Sequence, residues 1–245
     1  MSFKTEAFVL QAKDWRKADR LYELFTPQEG VIHAVLRSAA KPTSKLAGHM
    51  LPFSKVRIMI GRGRMDHLAG AAVIKDYANI RTDLKLMSLA AAIVELLLKD
   101  KSSENKHLEY LQVEKIFELL NDQNINFEQK LVLVRVFLWK YLSIAGWQPE
   151  LDNCLFCHKD MNIEQAGQYL PGRGIICLEH KESSYLPINA ELLVFLRSIN
   201  ELDFEEFIKI NISDKTKKEW RKISQAYYQA VFDQPSQALK ILPYA

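Results

Sequence analysis

Two spacings of hydrophobic positions divide the chain. In the first eighty residues the apolar positions come in short runs: Thr5 to Ala12, Arg20 to Thr26, Val31 to Arg37, Lys55 to Ile60 and His67 to Ile74. Runs of this length with alternating or continuous apolar character predict β-strands, because successive strand side chains point to opposite faces. Asp14-Trp-Arg-Lys17, Pro27-Gln-Glu-Gly30, a long polar stretch and Gly61-Arg-Gly-Arg64 separate the runs and predict the connections.

From about Asp83 the period lengthens to nearly four. Leu84, Met87, Leu89, Ala92, Ile93, Leu96 and Leu97 make one broad apolar face, and Leu108, Leu111, Val113, Ile116, Phe117 and Leu120 another. Asn126 with Gln129 forms a capping box for a third helix running through Leu131, Val134, Phe137 and Tyr141, and Gly146 is placed to end it. Asn189 caps a helix to about Asn200, a short one covers Asp203 to Ile208, and Ser213 caps the last, Asp214 to Phe232. The Leu-rich faces are bundle core. The fold class expected is α+β: an N-terminal five-stranded barrel over residues 1–80 and a helical domain over 81–245. Five short strands suit the oligonucleotide/oligosaccharide-binding (OB) barrel, whose sheet face and loops hold single-stranded nucleic acid, although strand count alone does not separate it from other small barrels.

All three cysteines lie in one stretch, Cys154-Leu-Phe-Cys157, then nineteen residues, then Cys177-Leu-Glu-His180. Two such turns point four soft or borderline donors at one tetrahedral centre, the pattern of a closed structural zinc site. We therefore expect one structural zinc on Cys154, Cys157, Cys177 and His180, in a finger over residues 150–182 inserted between helices. Gln168-Tyr-Leu and Pro171-Gly-Arg-Gly-Ile-Ile predict a hairpin that carries the second ligand pair. His158 directly follows Cys157 and is read as a surface residue. A redox dithiol needs a βαβ context that the flanks lack, and a zinc deaminase needs an HxE segment followed by PCxxC, whereas Cys154 follows Asn153. No enzyme is expected here.

The chain has 245 residues, 48% apolar and 26% charged, an ordinary globular composition. No apolar run approaches a membrane span and no secretory pattern opens the sequence, so a cytoplasmic protein is expected. The net charge of +3 hides an asymmetry: residues 1–80 hold thirteen Lys or Arg against seven Asp or Glu, and the remainder twenty against twenty-three. A basic barrel points to a polyanionic partner. Its cations concentrate in the connections, in Asp14-Trp-Arg-Lys-Ala-Asp-Arg20, Lys41-Pro-Thr-Ser-Lys45 and Gly61-Arg-Gly-Arg64. The first of these sets an aromatic ring among three cations, and in the last glycine lets the backbone approach phosphate while Arg forks onto its oxygens. The DNA-binding candidates are Arg16, Lys17, Arg20, Arg37, Lys41, Lys45, Arg62 and Arg64. The last helix has a basic first half, in which Lys217, Lys218 and Arg221 lie near Trp220, Ile223 and Tyr227.

In Ala7-Phe-Val-Leu10, Asp19-Arg-Leu-Tyr-Glu-Leu-Phe-Thr26 with Gly30 after it, Lys41-Pro-Thr-Ser-Lys-Leu-Ala-Gly48, Leu51-Pro-Phe53 and Gly61-Arg-Gly63, followed by helices and a finger, the chain resembles the bacterial RecO family of DNA repair proteins. The resemblance implies a mediator of homologous recombination that binds single- and double-stranded DNA and anneals complementary strands. With RecR, such a mediator helps load the RecA recombinase on strands coated by single-stranded DNA-binding protein (SSB). It also implies that the C-terminal tail of SSB is a partner, and we expect that acidic, apolar-ended tail on the helical domain rather than the barrel, with Lys217, Lys218, Trp220 and Arg221 of the last helix as the candidate place. Neither a membrane nor a small-molecule substrate is expected, and engagement on DNA would associate the protein with the nucleoid. Two features depart from the family pattern: Arg37-Ser-Ala-Ala40 stands where Lys-Gly-Ala-Arg is typical, and His180 stands where a four-cysteine finger has Cys. The competing expectation is a zinc-stabilised protein-interaction adaptor whose basic barrel serves only solubility.

Overall fold

The computed structural model describes residues 2–100, 104–161 and 167–241. The chain packs as two compact units, Met1–Asn124 and Ile125–Ala245.

The first unit is built on five strands, β1 (Ser2–Asp14), β2 (Arg20–Thr26), β3 (Gly30–Leu36), β4 (Lys55–Gly61) and β5 (His67–Lys75), closed into a barrel in the order β1-β2-β3-β5-β4. Closure depends on the length of β1. Its first half pairs with β4 from Ser2 to Phe8, its second half with β2 from Phe8 to Asp14, and a register shift between Val9 and Gln11 turns the strand from one partner to the other. Alternation sends Ala7, Val9, Tyr22, Leu24, Ala34, Val56, Ile58 and Ile60 into the barrel. The opposite face of β1 is buried as well. Phe8 lies with its ring 5.0 Å from Tyr110 and 5.5 Å from Phe117, next to Tyr77.

That aromatic layer explains why three helices belong to the barrel's unit: α1 (Ala78–Thr82), α2 (Leu84–Lys99) and α3 (Lys106–Asn121). Asp83 caps α2 through the N–H groups of Lys85 and Leu86. Lys55 on β4 is nearly buried and pairs with Glu114 on α3 and with Glu6. Burial alone pushes its ammonium pKa down, and the two carboxylates outweigh this and raise it. The hydrophobic period thus changes at Asp83, whereas the compact unit runs on to Asn124.

In the second unit α4 (Phe127–Leu142) is the central element. Asn126 and Gln129 make both bonds of the expected capping box. The helix is buried nearly all round, Lys130, Arg135 and Lys140 included. A π-helical turn over Ser143–Trp147, with Gly146 at φ 92°, ends it. A three-stranded sheet follows, β6 (Gly167–Leu170), β7 (Gly174–Ile176) and β8 (Leu186–Ile188), in the order β7-β6-β8. Then come α5 (Ala190–Ser198), α6 (Phe204–Phe207), α7 (Asp214–Phe232) and α8 (Gln237–Ile241). The α7 helix docks on α4: the Trp139 ring lies 4.5 Å from that of Tyr227, and its indole N–H donates to Ser224 Oγ at 2.9 Å. Among the described residues no helix is long and apolar enough to cross a membrane.

Candidate metal centre and nucleic-acid interface

The cysteine stretch folds into two tight turns. In the first, Cys154 N–H donates to Lys159 O and His158 N–H to Cys154 O, each at 2.9 Å. His158 takes the left-handed conformation (φ 56°) and points outward, the surface position expected for it. The second turn follows β7, and His180 N–H donates to Cys177 O at 3.1 Å. Backbone bonds from Leu155 N–H to Ile175 O (3.0 Å) and from Ile175 N–H to Glu150 O (2.9 Å) hold the turns together. A side chain at Gly174 would meet Glu150 O at 2.3 Å, so this close approach requires glycine. Residues 162–166 of the expected finger lie outside the described residues.

The donor atoms of Cys154, Cys157, Cys177 and His180 all lie within 4.8 Å of one another. Individual separations are 3.9 Å from Cys157 Sγ to Cys177 Sγ, 3.9 Å from Cys154 Sγ to His180 Nδ1 and 3.2 Å from Cys177 Sγ to His180 Nδ1. A tetrahedral ion with Zn–S bonds of ~2.3 Å and Zn–N bonds of ~2.0 Å sets its donors roughly 3.5–3.8 Å apart, so the four side chains fit such an ion. Burial pushes the Cys154 thiol up, but N–H groups of Cys157, Cys177 and Phe156 outweigh this and bring it down to about 6. A thiolate already stabilised by backbone donors suits metal ligation. Four protein donors fill a tetrahedral shell and leave no position for a reacting water. The group can hold a metal ion.

At one end of the barrel two connections meet. Arg20 pairs with Asp14 across β1–β2 and with Leu36 across β2–β3, which brings the β1–β2 turn beside the chain leaving β3. Ser38 N–H donates to Asp19 Oδ1 at 2.8 Å and Ala40 N–H to Ala18 O at 2.8 Å. Arg16, Lys17, Arg20, Arg37 and Lys41 therefore sit on two adjoining segments. Lys45 follows in the same long connection, where Ser44 N–H donates to Lys41 O. Ser38, at φ 56°, occupies the left-handed position where the family pattern has Gly. Arg16, Lys17, Arg37, Lys41, Lys45 and Arg64 are exposed and make no ion pair among the described residues. Arg20 pairs with Asp14 at 3.5 Å. Arg62 is tied most firmly: it pairs with Glu29 and, at 2.7 Å, with Asp66, and its guanidinium lies 4.4 Å from the Phe3 ring centre.

The model of the recombination protein O N-terminal part matches residues 1–77 and that of its C-terminal part residues 81–239. The chain belongs to the recombination protein O family. A DNA repair protein RecO from Dehalococcoides mccartyi (strain ATCC BAA-2266) is 27% identical over 240 residues, covering 97% of this chain and 93% of that protein. Proteins of the same name from Bacillus cereus (strain AH187) and Bacillus anthracis (strain CDC 684) are each 28% identical over 230 residues, 92% of this chain and 90% of theirs.

One expected surface differs in the structure. Trp220, Ile223 and Tyr227 are fully buried, so α7 offers no exposed apolar groove beside its cations. The reason is the helix period: these residues form the face that packs inward, with Phe195 4.8 Å from Trp220. The neighbouring cations are partly engaged, Lys217 with Asp214 at 3.6 Å and Arg221 with Lys240 O at 3.0 Å, while Lys218 is exposed. A cleft of about 200 Å³ nearby was not foreseen, lined by Val132, Phe207, Ile208, Lys209, Ile210 and Lys217 among others. The alternation Ile208-Lys-Ile-Asn-Ile212, between two helix caps, was its sequence signal.

Proposed function

We propose that this chain is a DNA repair and recombination mediator, and that it binds single- and double-stranded DNA through Arg16, Lys17, Arg20, Arg37, Lys41, Lys45, Arg62 and Arg64. The observation that carries the reading is the set of exposed cations on the connections of an OB-type barrel, six of the eight (Arg16, Lys17, Arg37, Lys41, Lys45 and Arg64) without an ion pair among the described residues, in a member of this family. From the family come strand annealing, RecA loading together with RecR, and the SSB tail as a partner. The tail needs a cation beside apolar side chains, and the cleft at Lys209, Ile210 and Lys217 supplies both where the face of α7 does not. The metal is one zinc ion, chosen by three thiolates and an imidazole, and it is structural. The protein is not an enzyme, and it acts in the cytoplasm on nucleoid DNA.

Titrating the full chain with labelled single-stranded and duplex DNA at two salt concentrations tests the reading. Affinity that falls steeply with salt on both substrates is expected. Absence of binding to either would leave the adaptor as the better account. Metal analysis of the purified protein is expected to return one zinc per chain.

A further inference from the structure

Trp15 stands in the β1–β2 turn with 42% of its surface exposed; in the second unit Trp139 and Trp220 are buried and Trp147, exposed to a similar degree, has no cation among its sequence neighbours. Its turn is closed by backbone bonds from Trp15 N–H to Asp19 O (3.0 Å) and from Asp19 N–H to Arg16 O (2.7 Å). The turn is docked onto residues 38–40 through Ala18 O and Asp19 Oδ1. Lys17 holds a left-handed conformation at φ 43°. These constraints fix the backbone from which the indole projects, so little ordering is left for a ligand to bring about. Of its neighbours, Arg16 lies 6.0 Å from the ring centre, Lys17 follows it, Arg37 stands on the adjoining segment, and the one anion beside the ring, Asp14, pairs with Arg20 at 3.5 Å.

An exposed flat ring on a braced turn, with Arg16 beside it and further cations on the same and the adjoining segment, matches one ligand chemistry. The cations take the phosphates, and the ring takes the face of an unpaired base. A duplex offers the same phosphates but no free base face, because its bases are already stacked on one another. We infer that Trp15 is the base-stacking platform of the barrel's DNA site and the residue that makes that site favour unpaired strands over duplex, an inference that rests on the DNA binding proposed above.

The test compares the full-length protein with Trp15→Ala, Trp15→Phe and the double variant Arg16→Glu/Arg37→Glu. Each is titrated with an oligo(dT) longer than the ~4–16 nucleotides an OB barrel occupies and with a duplex of equal length. Trp15→Ala is expected to weaken oligo(dT) binding roughly 5- to 100-fold and leave duplex binding and its salt slope unchanged. Trp15→Phe retains most of the affinity, because a phenyl ring also stacks. Oligo(dT) should quench indole fluorescence in the wild type and in neither Trp15 variant.

If Trp15→Ala lowers both affinities equally, or lowers neither while the double reversal lowers both, Trp15 is not a stacking residue and the barrel site stands without it. Binding of both substrates unaffected by the double reversal overturns the barrel site itself, and the inference with it.

Discussion

Trp15 and Trp220 each sit among cations in the sequence, yet one indole is 42% exposed and the other is fully buried. The local periods differ. On α7, position 220 shares a face with the buried Thr216, Ile223, Ser224 and Tyr227, while the exposed Lys215, Lys218 and Lys222 lie on the opposite side. In the β1–β2 turn the backbone reverses within five residues, so Trp15, Arg16 and Lys17 all face outward. An aromatic ring among cations therefore marks a surface only where no helical period can carry the ring inward. In the second unit the cations solvate a core helix, and in the first they and the ring make one surface.

The largest effect that would sharpen this contrast is removal of the proposed zinc. Structural zinc contributes on the order of 10–16 kcal/mol in small zinc domains, and here the ligands tie the two turns that precede and follow β6 and β7. After chelation, fluorotryptophan NMR should show the Trp139 and Trp220 signals shifted or broadened and the Trp15 signal in place. A collapse of all signals together would break the separation.

Next in size is truncation of the two rings. Trp220→Ala should destabilise the second unit by about 3–5 kcal/mol, since it empties a fully buried site, whereas Trp15→Ala should stay within ~0.5 kcal/mol. Urea unfolding of the full chain, followed by far-UV circular dichroism, measures both.

The same contrast explains what the sequence revealed. The five strands and the long helices were legible because alternation and the near-four period extend over many residues, and Asn126, Asn189 and Ser213 cap where their side chains predicted. The metal cluster was legible because its spacing alone defines it. Strand β8, with Pro187 among its three residues, and the five-residue helices α1 and α8 are too short to show any period. Nor did the period show that α4 is covered on all sides. Lys130, Arg135 and Lys140 imitate a polar face, yet Lys140 Nζ reaches Leu202 O at 2.7 Å and burial brings Arg135 down to about 10. That Arg62 is tied down by Glu29, a residue of the β2–β3 turn, depends on a contact between segments far apart in sequence.

A smaller effect concerns how α7 is seated. Glu191 on α5 accepts from the Ser213 and Thr216 hydroxyls and from Ser213 N–H, and these bonds, in that order, hold its carboxyl below the ordinary value of 4.5. Because the folded value is depressed, the contribution is present above the ordinary carboxylate value and is lost as pH falls through the folded value. Glu191→Gln should thus lower the melting temperature slightly at neutral pH, and the difference should shrink in acid. A difference that grows in acid would show that the carboxylate is not the stabilising form.

The most direct test of the central claim, that the barrel connections and not the basic helix hold DNA, is the salt dependence of single-strand affinity in two charge-reversed full-length proteins. Arg16→Glu with Arg37→Glu should weaken binding and reduce the slope of log affinity against log salt by about 1.4, or ~0.7 for each lost phosphate contact. Lys218→Glu with Lys222→Glu should leave the slope as in the wild type. An unchanged slope in the first protein, or an equal loss in the second, would contradict the account.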